Sequence, residues 1–204
     1  MSLQDEFHDA VKRGDVSLVS EQLSIQRKLA NARGNDGVTP LMMSSVAPNA
    51  MEMMQVLRKG GASFDARDKQ RRTVLLYACR YGADPAVVAY LVQSMENSKL
   101  PSHYAWTNCD ENYEGAVVLA VRSKRMPLVL YLHDIWNDEI HEFSNHVVKQ
   151  LFAAIQTRDE DFVVDFLKIS RVQKAIELDE GFGHVFITDS LPSRKDVKRN
   201  GRLS

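Results

Sequence analysis

A small residue heads the same helical pattern at five points of this chain: Ala10, Ser44, Ala78, Ala120 and Ala154. Three of the four steps between these heads are 34 residues and one is 42. Self-similarity at a fixed period confines a chain to stacked arrays, in which each unit buries its apolar face only against its neighbours. Three residues before the heads stand Phe7, Leu41, Leu75, Val117 and Leu151, and nine after them stand Val19, Met53, Val87, Val129 and Val163. In a chain that is 44% hydrophobic, ten apolar hits out of ten have a chance of about 3 in 10,000. Thirteen after the heads come Leu23, Leu57, Leu91 and Leu167, while in the fourth copy Leu132 sits one place early.

Two short antiparallel helices per unit explain these offsets. Neither can bury its apolar stripe alone, so small residues at the heads let inner helices approach closely while Val and Leu of the outer helices fill the layer behind. The expected fold is an all-α repeat solenoid of helix-turn-helix units joined by hairpin-like loops. Residues 1–170 form an array of about five repeats, and 171–204 form a capping segment and a flexible basic tail.

The punctuation of the second copy identifies the unit. Asn35-Asp36-Gly37-Val38-Thr39-Pro40-Leu41 places a turn before a helix, with Thr39 suited to cap it and Pro40 at its first position. Gly60 and Gly61 end the second helix, and the polar run to Asp68 turns back as a hairpin. These segments resemble the opening and exit of an ankyrin repeat. The third copy keeps Thr73, Leu75 and the small pair Ala78-Cys79 but has Arg71 and Val74 where the second has Gly37 and Pro40. Copies four and five keep only the core pattern, and the resemblance covers roughly residues 4–168. The period exceeds the family's usual one by a residue, which the turns between helices at 48–49, 83–85 and 159–161 are expected to absorb. Met42 stands where the family often has His, a change expected to loosen the local turn.

The resemblance implies a noncatalytic adaptor, scaffold or inhibitor. Its partner is another protein, met by the hairpin tips and the exposed edges of the inner helices on a concave face. Successive tips alternate in charge, which suits a dipolar partner: Asp36, then Lys69, Arg71 and Arg72, then Asp110 and Glu111 beside Tyr113. Arg80, Tyr81 and Arg122 on the neighbouring helix edges complete the candidate contacts. The long step places its extra residues within 94–106, where Tyr104 and Trp106 either bind a partner or staple the loop down.

Composition narrows the function classes. A formal charge of -1 supplies no global basic field, which disfavours nucleic acid and membrane. A regulatory subunit gripping nucleic acid through the basic finger and the tail, with Arg194, Lys195, Lys198, Arg199 and Arg202, is the alternative reading. No run of 18 apolar residues and no signal-peptide pattern occurs, so a monomer in the cytosol or nucleus is expected. Two cysteines, Cys79 and Cys109, do not make a disulfide framework. No nucleophile elbow or phosphate loop is present, so neither an enzyme nor a cofactor is expected. His133, Asp134, His141 and His146 lack convergent zinc spacing and read as polar surface residues.

Overall fold

The computed structural model describes residues 3–98, 108–135 and 143–178. The helices are α1 (Leu3–Arg13), α2 (Val16–Ile25), α3 (Pro40–Ser44), α4 (Ala50–Lys59), α5 (Val74–Arg80) and α6 (Pro85–Glu96), followed by α7 (Ala116–Arg122), α8 (Met126–Ile135), α9 (Phe143–Gln156), α10 (Glu160–Leu167) and α11 (Ser170–Leu178). A 3-10 turn, Arg27–Asn31, follows α2, and no strand occurs among the described residues. α1, α3, α5, α7 and α9 each pack on the next as an inner layer, while α2, α4, α6 and α8 stack in the same order as an outer layer. α11 packs on α9 and α10.

The periodic positions form the interior of this stack. All five heads are fully buried, as are Phe7, Leu41 and Leu75 three residues earlier. Ser44 is tolerated at a head because its hydroxyl donates to the Leu41 carbonyl at 2.8 Å. Its neighbour Ser45 likewise donates to the Met42 carbonyl at 2.7 Å. At the thirteenth position the fourth copy carries His133, which is buried. The sequence reading of a surface histidine there is corrected: α8 turns the ring inward, where other copies place leucine.

Local signals set the helix ends. Asp15, Thr39, Thr73, Asp84 and Asp159 each accept a backbone N–H in the first turn of the following helix. Met42 completes a reciprocal cap, because its sulfur accepts the Thr39 N–H at 3.5 Å. The expected loosening at Met42 is therefore offset by a bond that only a side chain with an acceptor can make. Between inner and outer helices a single left-handed residue reverses the chain: Gly14, Asn49, Gly82, Lys124 and Arg158. Four of these fall four residues after their heads and Asn49 falls five after. The turn of copy five thus carries no extra residue, contrary to the expectation from the period, whereas that of copy three does, because α6 begins seven residues after Ala78 and the other outer helices six after their heads. Gly14 has φ +75°, and a Cβ there would stand 2.6 Å from the Pro48 carbonyl oxygen of the next turn. Only glycine fits that approach.

Candidate partner-binding groove

Three fingers project between successive helix pairs, and their seventh residue before each head takes the same backbone conformation. Gly37, Arg71 and Tyr113 have φ of 73°, 63° and 60°. A left-handed conformation costs a residue with a Cβ about 1–2 kcal/mol. Asp68 holds the second finger, accepting the Arg72 backbone N–H at 2.8 Å and its Nε–H at 2.7 Å. Asp110 holds the third, accepting the backbone N–H groups of Asn112 and Glu114 at 2.8 and 2.9 Å. The fingers are also bonded to one another. Lys69 N–H donates to the Asp36 carbonyl and Glu111 N–H to the Gln70 carbonyl, each at 2.9 Å. Arg67 crosses from the second finger to Asn108 of the third.

Behind the second finger lies an aromatic and cationic cluster. The Arg72 guanidinium sits 5.3 Å from the ring centres of both Tyr77 and Tyr81, which are 4.5 Å from each other. Burial alone would lower the Arg72 pKa, but hydrogen bonds to Asp68 and Tyr81 raise it above its ordinary value. Burial likewise pushes the Tyr77 hydroxyl up. In the next unit Glu114 occupies the Arg72 position and pairs with Arg122, whose pKa rises through those bonds. The two units thus use opposite signs at one register position to tie a finger to its inner helix.

An open cleft of about 440 Å³ runs from α1 across the first finger to α5. Met43, Val46 and Tyr77 contribute apolar and aromatic surface, while Asp9, Lys12 and Asp36 bring charge. Val46 is 42% exposed although its side chain is aliphatic. His8 also lines the cleft, with its pKa lowered by burial against a weaker opposing bond to the Ala32 carbonyl. Cys79, fully buried on the inner side of α5, has its thiol pushed up to about 12 by burial, which disfavours a thiolate at neutral pH.

The structure divides the contacts expected from sequence. Asp36, Lys69, Arg71, Arg80, Tyr81, Glu111 and Tyr113 are exposed on fingers or inner-helix ends. Arg72 and Asp110 are instead buried and occupied in holding fingers. Arg122 is half-buried against Glu114. Tyr104 and Trp106 lie outside the described residues, as do His141 and the basic tail. Sequence reasoning missed Met43, Val46 and Tyr77 as groove surface, although Met43 and Tyr77 share the position before a head and Val46 stands two after one. Among the described residues no three His, Cys, Asp or Glu side chains gather as metal ligands. No described helix is long and apolar enough to cross a membrane.

A comparison with curated proteins finds no match. The family description "Ankyrin repeats (3 copies)" matches residues 7–102, which span α1 to α6 with the first two fingers. With that match and an all-helical stack of finger-linked helix pairs, residues 7–102 of the chain are ankyrin repeats.

Proposed function

We propose that this chain is a noncatalytic module that binds another protein through the groove between its fingers and inner helices, as an adaptor, scaffold or inhibitor. Ankyrin repeats are in general protein-interaction units. The observation that supports this groove is the open cleft over α1, α3 and α5, where Val46 stands exposed over the largely buried Met43 between charged walls. Burying such a patch under a partner contributes roughly 25 cal/mol per Å² of apolar area, before the costs of association are subtracted. Tyr81 and Tyr113, 53% and 69% exposed, extend the same face as aromatic contact residues of the kind enriched at hot spots.

Affinity purification from cells with mass-spectrometric identification of partners tests this reading. Val46→Asp combined with Tyr81→Ala leaves buried positions untouched and should remove the specific partners captured by the unaltered chain. An unchanged partner set would place binding elsewhere. The nucleic-acid alternative is weakened because Arg72, one of the three finger cations, is committed to Asp68.

A further inference from the structure

The charges along the groove change sign at Tyr77. On the α1 side the cleft is lined by Asp5, Asp9 and Asp36. Lys12 and Arg33 line it too, so the acids exceed the cations by one; Lys12 lies 3.8 Å from Asp9, and Arg33 donates to the Arg67 carbonyl at 2.6 Å. Outside that lining, Arg80 follows Tyr77 by about one helical turn on α5, and the second finger carries Lys69 and Arg71. Lys69 is held next to Asp36 by their backbone bond, which fixes where the sign changes. Asp36, Lys69, Arg71 and Arg80 are all exposed and form no ion pair among the described residues. The nearest acid on the second finger, Asp68, is already paired with Arg72. Between the two fields lies the apolar surface of Met43, Val46 and the Tyr77 ring.

Resting on the groove reading above, we propose that the groove takes a dipolar segment of a partner protein. A large apolar side chain of that segment sits over Val46, a basic residue faces Asp36 with Asp9 beside it, and an acidic residue faces Lys69 and Arg80. A basic side chain gains from the α1 wall and is repelled beyond Tyr77, and an acidic one behaves in the opposite way. Complementary fields of this kind fix register and reject partners of the wrong polarity more than they add affinity. A polyanion such as nucleic acid meets repulsion along the α1 wall.

Selection of random displayed peptides against the full chain, followed by charge exchange, tests the proposal. Enriched peptides should place Lys or Arg and Asp or Glu on opposite sides of a large apolar residue. Against Asp9→Lys/Asp36→Lys their affinity should fall about tenfold, from lost attraction and new repulsion at two exposed pairs. Changing the peptide's basic residue to Asp should restore binding to that variant. Lys69→Glu/Arg80→Glu should show the mirror-image rescue with the peptide's acidic residue. Peptides that lose binding to Val46→Asp but ignore both charge variants would leave the groove standing and overturn its polarity. Peptides that ignore Val46→Asp as well, or a selection that enriches none, would overturn the groove reading itself. Self-association of the chain broken by the same variants would make a second copy the occupant and also overturn the proposal.

Discussion

Replacing His133 with leucine should stabilise the array, and by more at acidic than at neutral pH. The ring is 3% exposed, and neither nitrogen has a hydrogen-bond partner. It packs edge-on to Phe166 of α10, with ring centres 6.3 Å apart, beside the fully buried Gln150 of α9. Burial lowers its pKa from 6.5 to about 4, helped by Arg171 on α11 and opposed by the nearby Gln150 amide, which falls short of a well-formed hydrogen bond to the ring. Because the folded value lies below the unfolded one, the unfolded chain binds more protons between them. Stability therefore falls as pH drops below about 6.5, at about 1.4 kcal/mol per unit, reaching about 3 kcal/mol near pH 4. At neutral pH the unbonded imidazole still costs about 1–3 kcal/mol of desolvation. Leucine, which copies one, two, three and five carry at this offset, removes both costs, although Gln150 stays buried without a partner. Thermal or urea unfolding of His133→Leu and the unaltered chain, followed by circular dichroism, should show a gain of about 1–3 kcal/mol at pH 7 and about 2 kcal/mol more at pH 5. The difference between the two proteins is the readout, since the lowered pKa of His8 acts in the same direction in both. A difference that does not grow between those pH values would refute the assignment of His133 as a buried neutral ring.

Other perturbations follow from the same packing. Gly14→Ala combines an unfavourable φ with a backbone collision at Pro48 and should cost about 2 kcal/mol or more, visible as a lower melting temperature; unchanged melting would mean the two turns are not so close. Arg71→Gly with Tyr113→Gly should relieve left-handed strain, raising stability by up to about 1 kcal/mol per site after glycine's entropy is counted, while reducing partner capture. Loss of stability in that variant would show that the side chains themselves hold the fingers. Ala78→Glu places a carboxylate at a fully buried head and should abolish the cooperative melting transition, whereas wild-type melting would overturn the register.

The fold was legible because burial repeats with the sequence. Periodicity alone located the interior except in the fifth outer helix, where Phe162 and Phe166 are buried and the expected Val163 and Leu167 are only half-buried. What resisted reading were side chains whose role depends on a specific partner. Arg71 and Arg72 are adjacent and chemically identical, yet one stands at a finger tip and the other is buried by Asp68 and two tyrosines. A signal did exist: Asp68 and Asp110 share one offset from their heads, and Arg72 and Glu114 share another. His133 could similarly have been found by its offset, which is an interior one in other copies. The groove surface was missed because solvent left one exposed valine, Val46, that hydropathy cannot distinguish from a core residue.

The bonds between fingers run across the stack rather than along the chain. Gln70 and Glu111 meet in the same way as Asp36 and Lys69 even though the long step separates the first pair. The additional length of this step therefore leaves the docking of the third finger on the second as it is between the first two. Recognition and loop length become separately editable: the segment joining two units can change in size while the groove keeps its spacing, and groove residues can be exchanged without redesigning that connection.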